Sequence, residues 1–239
     1  MFRLACGVLC VWLLLGCEAQ PSEPRSIRFR AVMDDAPLVR NQRLYSNPGG
    51  AGQYSVRDFQ FYASNFKLHA PQGVYAEPHS YHLVRFDLPR GVFRIDLEEV
   101  PAWDFHTLEF MLGVDAAANA SLESIGDLDP NGRMAWNWEV GYKFLLLEGM
   151  LEVAGRSVPL VYHIGFDENA AVVSLDIETR NTEVIDVEVD VAQLFHGEAP
   201  PLDLAALNNV KFDREDSGRL ARNFAHMFRL KTSRTGGEP

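Results

Sequence analysis

Past residue 17 the chain contains no cysteine: Cys6, Cys10 and Cys17 all lie within the first seventeen of its 239 residues. The folded part can therefore form no disulfide, cysteine zinc site, iron–sulfur cluster or thiolate nucleophile, and a metal would have to use imidazole, carboxylate, thioether or carbonyl donors. Roughly 200 residues bury enough apolar surface to fold without disulfides. Positive charge is also scarce, with 22 Lys and Arg against 33 Asp and Glu and a formal net charge of −11. That balance argues against nucleic acid or an anionic bilayer as the main partner, since both reward clustered cations. It fits a cation, a small ligand, a basic protein, or simple solubility. Catalytic signatures are missing: there is no GxSxG, no P-loop, no dinucleotide fingerprint after a strand, and no HxH or HExxH among the seven histidines. A non-enzymatic protein with no catalytic residues is expected.

A run of some 20 apolar residues, the length needed to cross a bilayer, is absent too. The apolar stretch Leu4–Leu15 follows a single Arg3 and stops at Leu14-Leu15-Gly16-Cys17, after which Glu18 begins a polar segment. It is too short for a spanning helix and reads as a signal peptide. Its end resembles a bacterial lipobox, in which the cysteine is acylated and becomes the new N-terminus. The expectation is a leader over 1–16 and a membrane-anchored lipoprotein attached through Cys17, facing the periplasm or cell surface. Glu rather than Asp at position 18 points by the same resemblance to the outer membrane. Residues 17–25, proline-rich and polar, read as a tether.

From 26 to 232 the pattern is one domain dominated by period two. Ile27, Phe29 and Ala31 alternate with neighbours of other type; Phe59, Phe61 and Ala63 do the same, with a resumption at Phe66 and Leu68. Further strands are expected over Tyr81–Phe86, Val92–Leu97, Leu108–Leu112, Tyr142–Glu148, Leu151–Val153, Leu160–Ile164, Val172–Ile177 and Ile185–Val191. NPGG, APQG, LPRG and DPNG punctuate them as turns. The fold class implied is all-β, an antiparallel sandwich. Leu220, Phe224, Met227 and Phe228 change to a helical period, predicting one amphipathic helix over about 214–230, and 233–239 reads as a flexible tail.

Three features carry candidate chemistry. Asp127, Asp129 and Asn131 followed by Gly132 copy the first half of a calcium loop, but the twelfth position is Trp138, not Glu; the alternative is a solvated turn. Trp136 and Trp138 share a face if the segment is extended, as packing residues or as part of a site. His82 and His163 each sit in a strand, where a histidine is either a hydrogen-bonded core residue or a ligand.

Seven ordered stretches together resemble one family: IRFRAVMDDAPL, YSVRDFQFYASNFKL, SYHLVRFDL, FHTLEFMLGVDAAAN, LDPNGRMAWNWEVGYKFLLLEG, YHIGFDENA and NFAHMF. The chain is similar to the MbnP-like family of exported bacterial copper-binding proteins. The resemblance implies copper capture or storage outside the inner membrane. It also implies a possible partner, a di-haem cytochrome c peroxidase-like protein that oxidises a tryptophan to kynurenine. Carried across, His163 matches the family's His-x-Gly histidine, His82 falls in the SYHLV strand as a second candidate ligand, and Trp136 and Trp138 match the tryptophan pair. Asp115 and Asn119 match the GVD…N segment, and Met134 or Met111 are candidate assisting thioethers. Two departures stand out: the four cysteines of one branch are missing, and Asn119 is followed by Ala120 where that branch has histidine. The alternative function is a sandwich module that binds a partner or ligand and has lost the metal.

Overall fold

The structure, a computed structural model, describes residues 22–86, 91–121, 123–137, 140–177, 183–196 and 200–231. Cys17, Trp138 and the tail over 233–239 lie outside them. Along the first half run β1 (Ser22–Met33), β2 (Ala36–Pro37), β3 (Tyr45–Ser46), β4 (Gln53–Ala70), β5 (Gly73–Ala76), β6 (Tyr81–Arg85), β7 (Val92–Pro101) and β8 (Thr107–Leu112). After the short α1 (Ala116–Asn119) come β9 (Ala135–Asn137), β10 (Gly141–Val153), β11 (Arg156–Gly165), β12 (Ala171–Asp176) and β13 (Val184–Asp190). The chain then passes through α2 (Gln193–His196), β14 (Asn209–Val210), α3 (Arg214–Ala221) and β15 (Phe228–Leu230).

These strands form two sheets, as the alternation predicts. In the smaller, β1 lies between β13 on one side and β7 with β2 on the other, and β15 flanks β13. In the larger, the order is β12-β8-β4-β10-β11-β14. Not every pairing is antiparallel: β1 runs parallel to β13, and β11 to β14. A hairpin pattern in sequence describes neighbours along the chain, and these two pairs join segments brought together by long connections.

The central strand β4 is eighteen residues long and stays on the core because two bulges reset its phase. Tyr54 and Val56 face inward, then Phe59, Phe61 and Ala63, then Phe66 and Leu68, all essentially buried. Between Val56 and Asp58 the register against β10 shifts, so that Arg57 is the extra residue. The partner there is Gly149, where a Cβ would stand 2.0 Å from the Ser55 carbonyl oxygen; only glycine lets the backbones approach so closely. Between Ser64 and Lys67 the register against β8 shifts again, around Asn65 at φ +56°. Asparagine tolerates that left-handed conformation better than most residues.

Five phenylalanines join the sheets. Phe29 of β1 packs on Phe61, Phe66 and Phe110 with centroids 6.0, 6.3 and 5.6 Å away, and Phe228 of β15 lies 5.1 Å from Phe110 and 5.5 Å from Phe61. Most of these contacts are edge-on, the geometry aromatic rings prefer.

Two expectations are corrected. The single helix over 214–230 is instead α3, capped by the Asp213 carboxylate accepting from the Asp216 N–H, followed by a 3₁₀ turn over Phe224–Met227 and then strand β15. Leu220, Phe224, Met227 and Phe228 are all buried as the spacing demands. Phe228, however, is committed to the interlayer cluster and to pairing with Val189, which a continuous helix would not reach. The segment read as tether is also shorter: β1 begins at Ser22, opposite Pro101.

Replacing Phe29 by Ala is expected to destabilise the protein by about 3–5 kcal/mol, the usual cost of emptying a fully buried aromatic site. Urea unfolding at constant m-value checks it.

Candidate functional site

Register decides which candidates can meet. Arg85, Gln60, Leu146 and His163 stand abreast across β6, β4, β10 and β11, so their side chains share the outer face of the large sheet. His82 stands opposite Ala63, three residues from Gln60 in an unbroken stretch, and therefore points to the other face. There it packs edge-on against Phe66 at 5.7 Å, and its Nε2 lies 2.8 Å from Glu77 Oε2. The pairing of His82 and His163 as two ligands of one metal, drawn from the sequence, is thus corrected: a sheet separates them.

His163 does gather chemistry around it. Its Nε2 lies 2.9 Å from Glu148 Oε1, and both side chains are mostly buried, at 15 % and 12 % exposure. The other Glu148 oxygen takes Arg133 Nη2 at 2.9 Å and is also paired with Arg57. Burial alone would raise the Glu148 carboxyl, but hydrogen bonds from His163 and Arg57 and the charge of Arg133 outweigh it and hold it at about 2. Desolvation depresses the His163 pKa, helped by Lys143 and Lys211 and only partly opposed by Glu148. The imidazole is therefore neutral at pH 7. With Nε2–H donating to the carboxylate, Nδ1 carries the lone pair, the second-shell arrangement in which a carboxylate orients a histidine ligand.

Trp136 lies on this same face. A Cβ at Gly165, two residues beyond His163, would stand 2.8 Å from Trp136 Cζ3, so the His-x-Gly glycine is the floor on which the indole rests. Phe166 and Phe212 flank the indole at 5.2 and 5.1 Å, and Phe212 is 60 % exposed. Lys143 Nζ donates to the carbonyls of Arg133 and Ala135 at 2.5 and 3.3 Å, pinning the turn that delivers the indole. Sequence spacing had no signal for Glu148, Lys143 or Lys211; the register of β10 against β11 brings the first two to His163, and the parallel pairing of β14 with β11 brings Lys211.

The remaining candidates serve the fold. Asp115 caps α1 through the Ala118 N–H at 3.1 Å and accepts from the Tyr81 hydroxyl at 2.5 Å and Asn65 Nδ2 at 3.2 Å. Asn119 ties three segments, donating to Asp167 at 2.7 Å and accepting from the Tyr142 N–H at 2.7 Å. Asp127 Oδ2 accepts from the Leu83 N–H at 2.8 Å and Asp129 Oδ1 from the Asn131 N–H at 2.9 Å. Their carboxylates thus support local backbone. Met134 is buried beside this loop, and Met111 lies on β8, away from His163. Among the described residues no three His, Cys, Asp or Glu side chains converge as a metal cluster, and no helix is long and apolar enough to cross a membrane.

Glu148→Gln is expected to cost about 2 kcal/mol at pH 7, the scale of a lost hydrogen bond to charged groups. Both depressed groups give stability that is present at high pH and lost on acidification. The His163 contribution fades as pH falls below 6.5, and that of Glu148 as pH falls from 4.5 toward about 2. Thermal melts from pH 8 to 3 check this: His163→Gln should flatten the upper part of the curve and Glu148→Gln the lower.

Residues 22–215 match the MbnP family model. Among solved structures, MbnP from Methylosinus trichosporium superposes with a TM-score of 0.54 at 18% identity, over 78% of this chain and 87% of that one; a likeness at that identity speaks for the fold. No curated protein matches in sequence.

Proposed function

The chain belongs to the MbnP family, and from that premise we propose that it is a non-enzymatic copper-binding lipoprotein that captures or stores the metal outside the inner membrane. The observation carrying this reading is His163: neutral, mostly buried, its Nε2–H held by Glu148 and its Nδ1 left to a ligand. Soft Cu(I) accepts imidazole, and the nearby cations Lys143 and Lys211 disfavour a divalent ion more than a monovalent one. Trp136 is the companion on the same face. Oxidised to kynurenine by a di-haem peroxidase-like partner, it would add carbonyl and amine donors where an indole offers none. Its neighbour Phe212 is exposed, which leaves this edge of the sheet open to such a partner.

The expected outcome is bound copper in protein purified from its native host, with a kynurenine mass on the peptide containing Trp136 and Trp138. His163→Ala should abolish retention, and Glu148→Gln should weaken it by roughly 10–100-fold, the range for losing a second-shell partner. Copper at background with both indoles intact would overturn the reading. That result would favour the alternative, a ligand-binding module without metal.

Anchoring through Cys17 belongs to the same proposal. Four residues separate Cys17 from the start of β1, at most about 3.6 Å each, so the domain would ride close above an outer-membrane surface. Wild-type protein should partition into the detergent phase and Cys17→Ser into the aqueous one; equal partitioning would refute lipidation.

A further inference from the structure

The outer face of β4 also floors a cleft of about 530 Å³, within the size range of small-ligand sites. Its walls carry four guanidinium groups and three carboxylates, and their internal pairing leaves a defined remainder. Arg133 is bound to Asp58 and Glu148, and Arg57 to Glu148. The Arg85 guanidinium makes no hydrogen bond or ion pair among the described residues, and that of Arg40 reaches only the Arg57 carbonyl, at 3.4 Å. Asp127 and Asp129 each spend one oxygen on a backbone N–H and meet no cationic side chain among the described residues.

The uncompensated charges are separated along the strand. Arg40 stands at the Arg57 end. Arg85 lies opposite Gln60. Asp127 is at the far end, where its carbonyl accepts from the Tyr62 hydroxyl at 3.3 Å. At about 3.3 Å per residue, the backbone levels of Gln60, opposite Arg85, and Tyr62, opposite the Leu83 N–H that holds Asp127, are some 7 Å apart along β4, and that of Arg57, beside Arg40, lies about 10 Å beyond Gln60. Leu83, Phe86 and Met134 supply apolar wall between them.

We propose that this cleft binds a short peptide of two or three residues with both termini free, its carboxylate on Arg85 and its ammonium on Asp127 and Asp129. A single anion would leave the aspartates facing it unfavourably, and a single cation would meet the arginines. A free amino acid carries its charges too close together to reach both ends, whereas each peptide residue adds about 3.4 Å. A guanidinium fork matches a terminal carboxylate in a way no ammonium does. The site is separate from the metal reading and does not rest on it: the cleft needs neither His163 nor Trp136.

The experiment is calorimetric titration of the metal-stripped full-length protein with Ala-Ala-Ala, its N-acetyl and C-amide derivatives, and glutarate. Saturable binding of the free tripeptide is expected, with each blocked form and glutarate weaker by about tenfold or more, the effect of losing one charge-assisted contact. Arg85→Gln should weaken the free and N-acetyl peptides while leaving the amide unchanged, and Asp127→Asn should weaken the free and C-amide peptides while leaving the N-acetyl form unchanged. Both variants should fold normally, because the Arg85 guanidinium holds no partner among the described residues and Asn keeps an oxygen for the Leu83 N–H; melting curves verify that. No saturable binding of the tripeptide to folded protein, equal binding of the blocked forms, or glutarate binding as tightly as the peptide would each overturn the proposal.

Discussion

Everything on the large sheet depends on how Phe29 and Phe228 of one layer seat among Phe61, Phe66 and Phe110 of the other. In a domain without disulfides this aromatic contact links the layers, and each ring removes a large apolar area from water. It fixes which face of β4 is inside, and thereby which face is left for chemistry.

Keeping an eighteen-residue strand on that core requires correction, because a twisted strand cannot hold one phase over such a length against a curved partner. The two bulges provide it, and each has a consequence at the surface. The first inserts Arg57, turning it outward beside Asp58, and admits Gly149 next to Glu148. Arg57, Arg133 and His163 then converge on the one carboxylate. The second, at Asn65, draws in Asp115 and through it Tyr81, locking the loop that carries Asp127. Core registration and site assembly are thus the same event. The Glu-Gly pair in the LLLEG stretch is explained by it: the glycine allows the bulge, and the glutamate uses it.

Much of the architecture was legible in sequence. The break between Ala63 and Phe66 in the alternation of β4 marks the Asn65 bulge, and Ile185 to Val191 reads as a half-buried strand and is one. The buried set Leu220, Phe224, Met227 and Phe228 was right as a burial pattern and wrong as a single helix, because helical spacing over so few turns cannot be told from a helix, a 3₁₀ turn and a strand in succession. The site was legible only in part. His163 and Trp136 were identified and do share a face, while His82, equally attractive as a strand histidine, is on the other side.

The sequence by itself determined the class of the fold and the donor types open to a metal, because composition and period two act locally along the chain. Only the tertiary structure decided who meets whom. The parallel pairing of β1 with β13, the separation of His82 from His163 and the joining of Glu148 to residues fifteen and ninety-one positions away follow from register between distant strands. A shift of one residue there moves a side chain to the opposite face, and nothing in the local pattern sets it.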